Sequence, residues 1–400
     1  MKNAKLARRL SAISLAVAGA LPAVVPIQAH AWVMNAHFWV STGIFSRFNV
    51  VTKEDFSAKQ SDMQCGFAAG RDVYLKSGYT VGQSGIVSTT NTHPNAALGL
   101  LIGRNLDWSE HPSGTIAGDV FLGGSANVTI ASDASVTLAP GKAIHAISGN
   151  DLFQAITPEL WVGWGNDTAN WGNGNLTPNN SAPGASGWTG HTSQNLPGFF
   201  SIFFDQYLTN MANSTLLTAA NGPTDVQSWY NDANGNARKN IMLDAGNKGR
   251  CDMPGNAGNC SATGGPNGQP GGRRAVYIFD VNATDLSHAD EVRIKNVRET
   301  DEFGSPTWTV IKVKANGATS ATFGNMGLQD FAPRNTRTLW VFDPAITTIN
   351  INGVAIEGTI LAPKANVVAN NGHINGSILA NSFQGTLEGH CAPFENYIDP

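Results

Sequence analysis

Residues of the types that carry binding or chemistry fall in three sets in this chain. Trp161, Trp164, Trp171 and Trp188 stand in a stretch rich in Gly, Asn, Ser and Thr. Indole faces stack on sugar rings and anchor protein partners, and such surroundings suit adaptable loops. These tryptophans are the candidate ligand-binding residues. The second set is the four cysteines, Cys65, Cys251, Cys260 and Cys391. No Cys-x-x-Cys pair occurs and no His stands at ligand spacing from Cys251 or Cys260, so disulfides are expected rather than a metal site. Cys251 and Cys260 enclose "DMPGNAGN", a loop that a local bridge would tie, leaving Cys65 for Cys391; three pairings are open to four cysteines. The third set is acidic. Asp72, Asp107, Asp119 and Glu357 fall at turn positions, where Asp bonds backbone, and "RETDEF" with Asp290 and Glu291 reads as a solvated loop. Neither His-Glu-x-x-His nor Gly-x-Ser-x-Gly occurs, and no glycine-rich loop matches a phosphate or dinucleotide motif. The pattern points to recognition, with no catalytic residue, metal or cofactor expected.

The elements that position these residues show in a repeat. "EGTILAPKANVVANNGHINGSILANS" states nearly the same phrase twice, eighteen residues apart. Apolar or small residues stand at Ile356, Ala362, Val368, Ile374 and Ala380, every six residues. Three six-residue faces make one turn, roughly 60 Å of backbone at ~3.3 Å per strand residue, as in a triangular parallel β-helix. Leu339, Val341, Ile349, Ile351 and Val354 are the candidate core of the preceding turn. Nearer the N-terminus, "AAGRDVYL", "LIGRNLDW" and "IAGDVFLG" share Gly, then Asp or Asn, then an aliphatic. Glycine allows the tight corner, Asp or Asn is expected to bond its own backbone, and the aliphatic turns inward.

Residues of about 150–274 form an insert rich in Gly and Trp. Within it, Phe200, Phe203, Phe204, Tyr207, Leu208 and Met211 make one apolar face of a helix over about 199–219, stopped by Gly222-Pro223. Such a helix must lie on something, and the flank of the coil is nearest. "AVYIFDV" and "TWTVIKVKA" resume the strands. The expected fold is all-β dominated: a parallel β-helix of about 18-residue turns, one flanking α-helix and the insert.

Composition narrows the partners. The net charge is −4, and only 14% of residues are charged. Nucleic acid needs a basic stripe to neutralise phosphates, and a disordered chain needs fewer apolar residues than the 42% here. Lys2, Lys5, Arg8 and Arg9 precede an apolar run from Leu10 to Pro26 and then Ala29-His30-Ala31. That is the pattern of a signal peptide over residues 1–31, the run being shorter than the ~20 residues of a membrane span. A single exported domain, 32–400, with no transmembrane segment is expected, secreted, at the cell surface or in the periplasm.

Several phrases together are similar to a known family. "FNVVTKEDFSAKQSDMQCGFAAGRDVYLKSGYTVG", "LIGRNLDW", "GTIAGDVFLGG", "YIFDVNATDL" and "TLWVFDP" with the terminal repeat resemble, in order, the landmarks of the choice-of-anchor A family across most of residues 43–395. "GTILAPKANV" also resembles ice-binding-type β-helix adhesins, which pack a long helix beside the coil. The resemblance implies an exported bacterial adhesin-like domain, with some relatives described as collagen-binding. The family's C-terminal sorting signal has no counterpart in "GTLEGHCAPFENYIDP". Ice binding needs a flat, regular Thr array; Thr359 and Ser377, with Thr347 and Thr348 one turn earlier, are too few and too mixed. The expected function is therefore a non-catalytic surface or matrix adhesin for a glycan or a matrix protein such as collagen. The alternatives are a carbohydrate-active β-helix enzyme and a self-assembling structural surface protein.

Overall fold

Alternating residues bury one side of a strand only, and in this chain corners break the alternation into three stretches per turn. The computed structural model describes residues 39–40, 48–82, 86–87, 97–130, 134–146, 196–213, 222–235, 237–246, 276–302, 304, 306–395 and 397–398. Each stretch lies parallel to its counterpart one turn on, giving a parallel β-helix with three faces. The first face is a curled sheet of ten strands. One ladder runs in register through Asp280, Lys312, Val341, Leu361, Leu379, Val51, Ala68, Leu101, Phe121 and His145.

The order of rungs is not the order of the sequence. The chain enters mid-column at Val50–Thr52 and winds outward to Ile144–Ala146. It resumes at the far end with Val276–Asn282 and winds back, so that Ile378–His390 lies against both Val50–Thr52 and Phe56–Met63. The chain's first and last rungs thus meet at a seam. Cys65 and Cys391 are disulfide-bonded across it, their Cα atoms 5.0 Å apart. Buried Asn49 bridges the same place, donating to His390 O (2.7 Å) and Gly376 O (3.2 Å) and accepting from Cys65 N (2.8 Å). Inside the coil, Phe383 stacks on Phe56 across the seam with ring centroids 5.1 Å apart, and Phe56 stacks in turn on Phe67 at 4.0 Å. Folding must therefore close a contact between the two ends of the chain, a costly loop in conformational entropy.

The eighteen-residue spacing holds where Thr359 meets Ser377. Other turns differ: Asp55 to Asp72 is 17 residues, Asn105 to Ser125 is 20 and Asp72 to Asn105 is 33. The spacing stretches where excursions leave the coil, such as the 3-10 segment Gln329–Arg337 between Thr319 and Thr347. Leu339, Val341, Ile349, Ile351 and Val354 are all buried as expected, but Val368 is 42% exposed. The six-residue count fails there because the corner at Pro363-Lys364 shifts the alternation by one, turning Ala365, Val367 and Ala369 inward instead. Gly376 explains the repeated glycine: at φ +156° its missing Cβ would lie 2.2 Å from Gly358 O one turn below.

At one corner the side chains of Asp55, Asp72 and Asn105 act across turns rather than on their own backbone. Asp55 Oδ1 accepts from Asp72 N (3.1 Å), Asp72 Oδ1 from Asn105 N (3.1 Å), and Asn105 Oδ1 from Ser125 N (3.0 Å). Stacking at 4.7–4.9 Å places each side-chain oxygen beside the amide of the next rung, which the coil's corner would otherwise leave unpaired.

The flanking helix, α1, begins at Leu196 and its described part ends at Ala212, passing through a π-helical turn at Phe203–Leu208. It starts earlier than the apolar periodicity suggests because Pro197 is tolerated in a first helical turn. The wider π turn lets consecutive Phe203 and Phe204 both bury, beside Phe200 and Leu208; the side chains of Tyr207 and Met211 lie outside the described set. Pro197 meets Gly103, Phe200 meets Gly70, and Asp205 reaches Lys53 (2.7 Å) and Lys364 (2.5 Å). α1 therefore runs beside successive rungs across the seam. A second helix, α2, spans Ala283–Ser287. The insert also holds strands that the sequence reading missed: Thr224–Asn231 pairs antiparallel with Ala237–Asp244, which pairs parallel with Ala289–Lys295. No helix among the described residues is long and apolar enough to cross a membrane.

Candidate functional site

The outward residues of the three faces differ. On the first face, Val51, Ala68, Leu101, Leu361 and Leu379 point away from the interior yet are fully buried. They are spent on packing. Thr359 and Ser377 belong to this face and are 0% and 1% exposed, so the one Thr/Ser match in the repeat is not offered to a ligand.

The second face is open. Its outward ladder runs through Thr322, Asn350, Val368, Gln384, Ser57, Tyr74, Asp107 and Asn127, in register. Strand alternation puts these side chains outside because Ile349, Ile351, Val367, Ala369, Phe383, Phe56, Ala58, Val73, Leu75 and Leu106 take the inside. Tyr74 is 40% exposed. Partial burial, then the negative charges of Asp72, Asp55 and Asp107, push its hydroxyl above the usual tyrosine value, so it is a neutral donor and acceptor. Beside the ladder, Asn366 Oδ1 accepts from Ser382 Oγ (2.8 Å) and Asn381 Nδ2 (2.9 Å), which fixes the amide. Lys76 pairs with Glu110 at 2.6 Å. The result is a mixed amide, hydroxyl and aromatic surface, repeating at the 4.7–4.9 Å rung spacing of a sheet.

The third face carries two groups. Thr80, Thr115 and Thr137 stack in register, with the hydroxyls of Thr115 and Thr137 3.1 Å apart. At the seam, His373 stacks on His390 (4.6 Å), His390 lies 3.7 Å from Glu388, and Glu388 faces Asp62. Burial, then the hydrogen bond and charge of Glu388, raise the Asp62 carboxyl above its ordinary value, while His390 opposes the shift. Among the described residues no group of His, Cys, Asp and Glu is arranged to hold a metal.

Of the residues singled out from sequence, Trp161, Trp164, Trp171, Trp188, Cys251 and Cys260 lie outside the described residues. Trp108, Trp308 and Trp340 are core residues whose indole N–H groups donate to Ser77 O, Glu395 O and Glu357 O. The acids serve the fold. Asp107 accepts from Ser109 N (3.1 Å), Asp119 from Ala143 N (2.8 Å), and Glu357 from Asn375 (2.8 Å) and Asn335 (3.3 Å). The open ladder was not singled out, although the alternation in "DVYL" already places Tyr74 opposite Val73 and Leu75.

Residues 41–391 match the family described as "Putative Ice-binding-like adhesive domain". No curated protein and no solved structure matches the chain.

Proposed function

The chain belongs to the ice-binding-like adhesive domain family, and on that premise we propose an exported, non-catalytic adhesin of the cell surface or extracellular matrix that holds a glycan or a matrix protein such as collagen. The observation that carries this reading is the open second face. Along its middle rungs one side of the coil is covered with aliphatic residues and sealed, while another presents Asn350, Gln384, Ser57 and Tyr74 at a fixed repeat. A polymer with its own repeat meets such a surface at many weak contacts, which add without any deep pocket. Trp161, Trp164, Trp171 and Trp188 are proposed as further ligand-binding residues on their side-chain type and sequence setting alone. The N-terminal charge and apolar pattern supports export over residues 1–31, with the domain covering 32–400, and the ordered phrases shared with the choice-of-anchor A family support surface display.

The test is an array of glycans and matrix proteins probed with the oxidised chain from Trp32 to Pro400. Saturable binding to one class, weakened at least 10-fold by the joint change Tyr74→Ala with Gln384→Ala or by alanine at all four tryptophans, supports the reading. Release of sugars from a polysaccharide panel would replace it with an enzyme. A blank array with concentration-dependent assembly in light scattering would replace it with a structural protein.

A further inference from the structure

The small sheet has two unlike sides. Ile241, Leu243 and Val292 bury one side in the core. The other side carries a concavity of about 340 Å³. That volume is at the lower end of the roughly 300–1,000 Å³ of small-molecule sites. Asp225, Gln227, Asn240, Met242, Asp244 and Lys295 line it. Register explains why these meet: Met242 lies opposite Asp225, Gln227 opposite Asn240, and Asp244 opposite Lys295.

The lining is an apolar centre ringed by fixed polar groups. Asp244 Oδ1 accepts from Asn296 Nδ2 (2.6 Å) and Gly246 N (2.8 Å), and its other oxygen lies 3.7 Å from Lys295 Nζ. The Gly246 amide first, then Asn296 and Lys295, hold this carboxyl below its usual value, so it is an ionised acceptor at neutral pH. Gln227 Nε2 donates to Asp225 Oδ2 (2.8 Å), fixing that side chain as well. Asn240 Oδ1 is shielded from solvent and has no hydrogen-bond partner among the described residues. A carbonyl oxygen without a donor is unfavourable, and a hydroxyl reaching it from the concavity that Asn240 lines would satisfy it.

We propose that this concavity is a binding site for one uncharged pyranose unit, its apolar ring face on Met242 and its hydroxyls on Asp225, Asn240, Asp244 and Lys295. Hydroxyls both donate and accept, which matches a ring holding carboxylates, amides and one ammonium. The lining charge, two carboxylates against Lys295, disfavours acidic sugars. Lys295 beside Asp244 disfavours a divalent cation. The choice of a saccharide rests on the adhesive reading above, whereas the site rests on the cavity itself.

Calorimetric or saturation-transfer titration of the full chain with glucose, galactose, mannose, N-acetylglucosamine, glucuronate and Ca²⁺ tests it. Binding of at least one neutral sugar is expected, with glucuronate at least 10-fold weaker than its neutral counterpart. Asp225→Ala combined with Gln227→Ala, both exposed, is expected to weaken that binding at least 10-fold with unchanged melting temperature. Absence of neutral-sugar binding, tighter binding of glucuronate or Ca²⁺, or affinity indifferent to the Asp225/Gln227 change overturns the proposal. If extended glycans still bind and only Tyr74→Ala with Gln384→Ala reduces them, the adhesive reading stands and this site falls.

Discussion

The first and second faces of the coil share a backbone, a rung spacing and an interior, yet along the middle rungs their outward ladders are opposites. Val51, Ala68, Leu101, Leu361 and Leu379 are apolar and sealed; Asn350, Val368, Gln384, Ser57 and Tyr74 are mixed and open. A β-helix buries its inward side in every turn, so what each face does is decided by its outward residues. Here one set serves stability and the other is free to serve recognition.

The sharpest way to break this contrast is to place the same charge on each face. Leu361→Asp puts an unpaired carboxylate in a sealed site, and a loss on the order of 5 kcal/mol is expected from the lost packing and desolvation together. Where that variant fails to fold, Leu361→Ala should still lose about 3 kcal/mol. Val368→Asp, seven residues on and 42% exposed, should stay within about 0.5 kcal/mol of the parent in denaturant unfolding. Equal losses would end the distinction between the faces.

The seam is next in size. Joint replacement of Cys65 and Cys391 by Ala should cost about 2–4 kcal/mol, because the bridge ties residues 326 apart in sequence. Urea midpoints with and without reductant measure it, and an unchanged midpoint would mean that the rungs hold the ends together without the bridge.

The clamp on α1 sets a smaller effect. Partial burial works against the Asp205 carboxylate, but Lys364 and Lys53 together outweigh it and hold its value below the ordinary one. A depressed carboxyl contributes stability that is present above the unfolded value, about 4, and is lost as pH falls through the lower folded value. Asp205→Asn should cost about 1 kcal/mol at neutral pH, the pair being partly exposed, and should flatten the acid limb of the stability curve. An acid limb as steep as the parent's would place the pH dependence elsewhere.

Asp62 has the opposite sign and the smallest effect. Its raised value means that the folded state holds a proton the unfolded chain releases, so stability falls as pH rises from the ordinary value through the folded one. Asp62→Asn should therefore raise the melting temperature slightly at pH 7 and leave it unchanged near pH 3. A lower melting temperature at pH 7 would show that Asp62 supports the seam in its charged form.

Much of the fold was legible in sequence. The paired phrases at Gly358 and Gly376 marked a coil because the second glycine stacks on the first one turn below. The Phe200, Phe203 and Phe204 face marked α1. The inward assignment of Val368 failed because a six-residue count ignores how each corner resets a two-residue alternation. The strands at 224–231 and 237–244 were missed because glycine, asparagine and charged residues dominate their surroundings. The meeting of the chain's ends is a long-range pairing that no local pattern records, and only Cys65 with Cys391 hinted at it. The open ladder went unread because its members are ordinary residues made notable by register alone.

The most direct test of the account is a paired binding measurement on the array: the parent chain beside the joint change Tyr74→Ala with Gln384→Ala, both checked for equal melting temperature. The account predicts saturable binding of an extended glycan or matrix protein by the parent and at least a 10-fold loss in the variant. Equal binding by the two proteins, at equal stability, would contradict the assignment of recognition to the open face.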